Sequence, residues 1–302
     1  MMRGLLVAAL LPVMNLAAGV QQPALQARPG CEKPGTKRVI MVTGSTDGLG
    51  RAVALKLASS GAHIIVHGRN LERGDSVVNE IKREGKGSAC FYQADLASLK
   101  EVRSLAEAIL RDYQKLDVLV NNAGIGSRIP EVRTLSADGH ELRFAVNYLS
   151  GFLLTRTLLP LMEKSAPARV AFVSSTAQSA IDFDDVMIEK NYTGIRAYGQ
   201  SKLSQVMFAF DLAAELKDKN VLVNALHPAT YMPTHMVLSG GFEPQATIEE
   251  GVQAVLNAVN TPNVGTGQYF NGTRIGRPNA QANDTTARAK LRELSMKLTG
   301  AR

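Results

Sequence analysis

Cysteine is almost absent from this chain of 302 residues: Cys31, in a stretch rich in Pro, Gly and charge, and Cys90, in an apolar run, are the only two. A pair so placed implies no disulfide framework, and a reducing compartment is the expectation. Aromatic residues make up 5% of the chain and do not interleave with Lys and Arg, which are scattered along it. The net charge of +7 is therefore no footprint of a nucleic-acid surface. No segment repeats at a fixed period, and nothing marks a second domain.

Long apolar runs are also scarce. The exception is Gly4 to Val20, which follows Arg3, is interrupted by Pro12 and Asn15, and contains the small residues Ala17-Ala18-Gly19. Residues 1–27 read as a signal-like or membrane-anchor segment at the low edge of what spans a bilayer. Residues 28–37 read as a linker. The remainder, 38–302, has ordinary globular composition; the whole chain is 45% apolar and 20% charged, enough for a sizeable core. From Arg38 onward, short apolar strands (39–42, 62–67, 88–93, 116–120, 169–174, 221–225, 268–270) alternate with helical periodicity (71–83, 99–113, 139–162, 195–216, 248–259). That alternation predicts an α/β fold: a single doubly wound Rossmann-type domain, a parallel sheet of about seven strands with helices on both faces.

The chemistry-bearing residues fall where strands end. After the first strand comes Thr43-Gly44-Ser45-Thr46-Asp47-Gly48-Leu49-Gly50, a glycine turn opening a helix. Glycine lets the backbone turn tightly and approach a pyrophosphate, and the helix N-terminus favours its charge. Beyond the second strand, where a site for the unphosphorylated dinucleotide would carry an acid, stand Arg69 and Asn70. A guanidinium there suits a 2′-phosphate; the competing reading makes Arg69 the exposed start of a helix. Asp95-Leu96, past the third strand, lies where a carboxylate meets adenine or caps the next helix. Asn121-Asn122-Ala123-Gly124 follows the fourth strand, Asn147 sits on apolar ground in a long helix, and Ser174-Ser175 ends the fifth strand. Tyr198 and Lys202, at i and i+4, share one helical face, where an ammonium lowers a phenol's pKa towards working pH. The phenol then exchanges protons with a carbonyl or alcohol oxygen.

Together these motifs resemble the short-chain dehydrogenase/reductase family from Arg38 to Phe270. Thr43 to Gly50 matches its Thr-Gly-x-x-x-Gly-x-Gly loop, Asn121 to Gly124 its Asn-Asn-Ala-Gly motif, and Tyr198 with Lys202 its Tyr-x-x-x-Lys. The long Ser-to-Tyr interval, Gly267-Gln268-Tyr269-Phe270 and Leu291 to Ser295 resemble the retinol-dehydrogenase-like members. The resemblance implies an oxidoreductase transferring hydride between NADP(H), with NAD(H) as the lesser alternative, and a small, largely apolar alcohol or carbonyl substrate. It implies catalytic roles for Asn147 (helix distortion that seats a proton-relaying water), Ser175 (substrate oxygen), Tyr198 (general acid or base) and Lys202 (ribose hydroxyls and phenol pKa). The cofactor contacts it implies are Gly44 to Gly50, Arg69, Asn70, Asp95, Leu96, Asn122, Ala123, Gly124, Tyr198, Lys202, Pro228 and Thr234, with no metal. Pro228-Ala229 departs from the family's Pro-Gly.

Residues 230–245, apolar but irregular, read as a lid over an apolar substrate or as a satellite core under a loop. Asn191-Tyr192-Thr193 matches a glycosylation acceptor, read as incidental so near the motifs. A nicotinamide enzyme needs its reductant regenerated, so a cytoplasmic catalytic domain is expected, with membrane association through residues 4–20 and a homo-oligomer left open. A non-catalytic, membrane-tethered redox-sensing module is the alternative function. An epimerase would want a larger C-terminal domain.

Overall fold

β-branched runs, too apolar to alternate, form the middle of a sheet covered on both faces. The computed structural model describes residues 25–28, 31–128 and 130–301. Strand β1 (Val39–Val42) is buried along its length. It pairs in parallel with β2 (His63–Gly68) on one side and β4 (Val118–Asn121) on the other. Outward from β2 lies β3 (Ser88–Gln93), and outward from β4 lie β5 (Ala168–Val173), β6 (Val221–His227) and β7 (Tyr269–Asn271), all parallel. The order β3-β2-β1-β4-β5-β6-β7 makes β1 and β4 the pair at which winding reverses. In such sheets a ligand crevice opens beyond the carboxyl ends of the strands at that reversal.

Helices α1 (Gly48–Ser59), α2 (Leu71–Glu84) and α7 (Ile248–Asn260) bury their apolar sides on one face. On the other lie α3 (Leu99–Asp112), α4 (Ser150–Lys164), α5 (Gly194–Glu215) and α8 (Thr285–Thr299). The doubly wound fold is the one the sequence predicts, with three differences. An eighth strand, β8 (Arg274–Ile275), turns back antiparallel on β7, and two residues are too few to show a period. Helix α8 shows no apolar stripe because the residues it buries are Ala287, Leu291, Ser295 and Thr299, only one of them large and apolar. The helix expected over 139–162 begins instead as a π-helical turn, Phe144–Leu149, that runs into α4.

The cysteine expectation is overturned. Cys31 and Cys90 form a disulfide across 59 residues of sequence, their Cα atoms 4.6 Å apart. The reason is tertiary: β3 is an edge strand, and Arg28 and Cys31, from the segment expected to be a linker, lie against it. Arg28 donates its backbone N–H to the Phe91 carbonyl at 3.2 Å and its guanidinium to Asp75 at 2.9 Å. Leu25, Ala27 and Cys31 pack against the core. The strap thus covers backbone groups that an open edge would expose. The cysteine-based argument for a reducing compartment falls with the pairing. The apolar run 4–20 lies outside the described residues. Among those described, no helix is long and apolar enough to cross a membrane.

Candidate active site

Three of the sequence motifs meet at the carboxyl end of β1. Gly44 and Gly48 have φ of +64° and +52°, a region in which side chains are strained. A Cβ on Gly50 would collide with the Gly44 carbonyl and the Asn122 amide. The Asn122 amide donates to the carbonyls of Thr43 (2.9 Å) and Gly44 (3.2 Å), while the N–H groups of Asn122 and Ala123 reach Thr43 Oγ1 at 3.0 and 3.1 Å. Asn121 donates instead to Thr155 Oγ1 at 3.0 Å and so ties β4 to α4. Asp47 caps α1 by accepting from Gly48 N at 2.7 Å. Ser45 is fully buried and Leu49 nearly so, and Thr46 packs on Gly68 so closely that a Cβ there would overlap it.

His67, at the end of β2, accepts the Gly44 N–H on Nδ1 at 3.1 Å. Burial pushes its pKa down to about 4, so the ring is a neutral acceptor at neutral pH. No sequence signal marks it, since it reads as one residue of an apolar strand.

At the adenosine end, Arg69 is 70% exposed and faces Asp95 across 3.7 Å. Asn70 is the N-cap of α2, accepting from Arg73 N at 2.9 Å. Asp95 accepts from Ala97 N at 3.0 Å, and Leu96 belongs to the core. Arg73, four residues beyond Arg69, reaches Asp47 at 2.8 Å and puts a second guanidinium beside the glycine loop. Arg69 precedes α2 and Arg73 lies in its first turn, and the nearness of the two arginines at the start of that helix is the signal that could have found it.

The reacting end gathers β5, the π turn and α5. Asn147 lies in the π turn, and its side chain is fully engaged: Oδ1 accepts from Ile125 N (2.8 Å), and Nδ2 donates to the Ile125 carbonyl (3.2 Å) and Ser201 Oγ (2.9 Å). A π turn offsets the helical ladder by one residue, a distortion frequent at functional sites. Ser174 donates its hydroxyl to the Lys202 carbonyl at 2.7 Å. Ser175 accepts from Ala177 N at 3.1 Å and is close enough to the Tyr198 phenol to favour its ionised form. Lys202 Nζ is buried, donates to the Val173 carbonyl at 2.9 Å, and stands 5.6 Å from the Tyr198 ring centroid. Gly124 leaves room beside it: a Cβ there would sit 3.2 Å from Asn147 Oδ1 and 3.5 Å from Lys202 Nζ.

The expected charge relation between phenol and ammonium is corrected here. Burial pushes the Tyr198 pKa up, with Ser175 opposing the rise and Tyr231 adding to it. Burial pulls the Lys202 pKa down to about 7. Desolvation is the first cause at both groups, and it favours the neutral form of each.

After β6, Pro228 is buried, and Thr234 stands at the N-cap position of the short helix α6 (His235–Ser239), makes no side-chain cap bond, and lies against the glycine loop, 3.2 Å from where a Gly48 Cβ would be. Two residues without a sequence signal complete this side. Arg143, wholly buried, pairs with Glu141 at 3.7 Å, and Arg128 covers the Phe242 ring at 4.1 Å.

A neutral His67 under the glycine loop, glycines whose Cβ atoms the fold would not accommodate, and a buried lysine with donors to spare fit a dinucleotide lying across the ends of β1, β4 and β5. Residues 38–240 match the family model described as short chain dehydrogenase. Retinol dehydrogenase 14 of Homo sapiens is 33% identical, covering 87% of this chain and 86% of its own length. Retinol dehydrogenase 13 of Mus musculus is 34% identical, with coverage of 87% and 84%. Among solved structures, a short chain dehydrogenase from Shigella flexneri complexed with NADP superposes with a TM-score of 0.65 at 27% identity, covering 78% of this chain and 96% of that one. One from Escherichia coli CFT073 complexed with NADPH does so with 0.64 at 27%, covering 78% and 96%. With its glycine loop, its Asn-Asn-Ala-Gly brace and its Tyr-x-x-x-Lys pair assembled on this sheet, the chain belongs to the short-chain dehydrogenase family.

Proposed function

We propose that the protein is an NADP(H)-dependent oxidoreductase that interconverts an alcohol and a carbonyl on a small, largely apolar substrate. The observation that carries the reading is the convergence of Ser175, Tyr198, Lys202 and Asn147 beside the glycine loop, with two guanidinium groups, Arg69 and Arg73, at the adenosine end. The bound nicotinamide supplies or takes up the hydride. Everything else falls to the chain. Ser175 and Tyr198 hold the substrate oxygen between two hydroxyls, which fixes the carbonyl carbon for transfer. In reduction the Tyr198 phenol gives its proton to that oxygen, and in oxidation the phenolate takes it back. The remaining donors of Lys202 suit the ribose hydroxyls, and Asn147 holds Ile125 and the π turn in place. The apolar residues of 230–245 exclude water from the cleft. The intact proton-transfer set favours this reading over a non-catalytic redox sensor.

Cofactor choice rests on Arg69 and Arg73. A charge-assisted bond from a guanidinium to a 2′-phosphate is worth roughly 1.5 to 3 kcal/mol, about one to two orders of magnitude in affinity. Titration calorimetry tests the reading. Arg69→Ala should weaken NADPH and leave NADH nearly unchanged, and equal losses for both would mean that Arg69 stacks on the adenine instead. Oxidation of NADPH over a series of apolar aldehydes, ketones and quinones should stop in Tyr198→Phe while cofactor affinity stays. An active Phe variant would remove the mechanism.

A further inference from the structure

The substrate side of the cleft consists of a fixed wall and a lid that meet at one arginine. The wall is residues 126–128, 130 and 131, which have no regular structure of their own. Arg143 holds it from beneath, its Nε donating to the Gly126 carbonyl at 2.7 Å and its Nη2 to those of Ser127 (3.0 Å) and Pro130 (2.5 Å). Its Nη1 donates to the Tyr192 hydroxyl at 2.5 Å, and that hydroxyl donates to Glu141 at 3.0 Å. With arginine and carboxylate both buried and both satisfied, loosening the wall would strand a charge in the core.

The lid is built differently. Helix α6 buries none of its residues, and Met236 and Leu238 are 40% and 56% exposed. Tyr231 sits at φ +48°, a strained conformation for a bulky side chain, and such outliers collect at ligand clamps. Its ring stacks on Phe242, centroids 4.6 Å apart and planes within 13°. The guanidinium of Arg128 also lies over the Phe242 ring, 4.1 Å from its centroid, and Arg128 Nη1 donates to the Gly240 carbonyl at 3.0 Å. Beside this joint runs an open groove of about 350 Å³ between Arg128, Pro130 and Glu131 of the wall and Ser239, Gly240 and Gly241 of the lid.

We propose that the stack of Arg128 on Phe242 on Tyr231 is the substrate-selecting gate of this enzyme: closed, it clamps the lid to the wall and restricts the cleft to slim apolar carbonyl compounds. The stack offsets the backbone strain at Tyr231. Removing Arg128 or Phe242 lets Tyr231 relax and the lid swing out, admitting bulkier substrates at the expense of the tight fit for small ones. Arg128 is exposed and the wall is anchored by Arg143, so changing Arg128 leaves the fold intact. The gate rests on the oxidoreductase reading, and its test keeps the two separable.

The variants are Arg128→Met, which keeps the side-chain stem but loses the charge and the planar donors, Phe242→Ala, and Tyr231→Gly, which relieves the backbone strain together with the ring. For each, kcat and KM are measured on a small apolar aldehyde and on a ketone carrying a bulky apolar substituent. NADPH affinity is followed by fluorescence titration, and cleavage of the 230–245 segment by limited proteolysis. The expected result is a shift of about tenfold or more in the ratio of the two kcat/KM values towards the bulky ketone, carried mainly by KM. NADPH affinity should stay within about twofold, and lid cleavage should be faster. An unchanged ratio overturns the gate, as does a loss of NADPH affinity equal to the loss in kcat/KM. Should the unaltered protein turn over neither compound, the oxidoreductase reading fails by itself. The gate then stands or falls on the proteolysis, which unaltered cleavage in Arg128→Met would overturn.

Discussion

On the cofactor side of the cleft, Thr43 to Gly50 is positioned by backbone: two glycines at positive φ, a third with no room for a Cβ, and carbonyls gripped by Asn122. On the substrate side, residues 230–245 are positioned by side chains: Arg128, from far off in sequence, meets Gly240 and Phe242, and Tyr231 stacks on Phe242 within the segment. The first kind of construction tolerates almost no substitution, because backbone sterics leave no alternative. The second tolerates many, each altering what the cleft admits. A backbone-built cradle fits a cofactor that never changes, and a side-chain-built lid fits a substrate that differs between enzymes of one fold.

The sharpest way to break that contrast is Gly50→Ala. A single methyl collides with the Gly44 carbonyl and the Asn122 amide, both fixed, and overpacking of this kind costs about 1 to 3 kcal/mol or more. NADPH affinity measured by calorimetry should fall at least about tenfold, far more than for any single lid variant. Retained affinity would mean that the loop is as adaptable as the lid.

Next in size is the strap across β3, which belongs to the cofactor half of the sheet. Replacing Cys31 and Cys90 together by Ser should lower stability by about 2 to 4 kcal/mol, read as a drop in thermal midpoint. The midpoint of the unaltered protein should fall comparably under reductant, whereas the variant's should not move. A chain beginning at Lys33 loses the same bond and the Arg28 contacts, and should be destabilised but still bind NADPH, since no strap residue reaches the glycine loop. Indifference of the unaltered protein to reductant would show that the pair is not oxidised in solution.

The smallest effect sharpens the comparison. His67 has a folded pKa of about 4 against an ordinary 6.5, so between those values the unfolded chain binds the extra proton. Stability from this group is present above pH 6.5 and is lost as pH falls towards 4. His63 and His227 are also held at about 4 by burial, so the acid loss is shared. His67→Gln should therefore flatten the slope of thermal midpoint against pH in that window without abolishing it. An unchanged slope would mean that the His67 ring is not the buried acceptor of the Gly44 N–H.

What the sequence determined by itself is the part written in backbone and local order. The short β-branched runs, the glycine turn after β1, the Asn-Asn-Ala-Gly turn after β4 and the Tyr198–Lys202 pair on one helical turn are local patterns. Each has a steric or periodic cause confined to a few residues. Tertiary structure decided whatever depends on residues far apart in the chain. It brought Cys31 to Cys90 across the sheet edge, carried His67 under Gly44, set Arg128 over Phe242, and buried Lys202 deeply enough to lower its pKa rather than that of Tyr198. Charge and desolvation compete only inside a packed interior, and that competition has no image in spacing or composition.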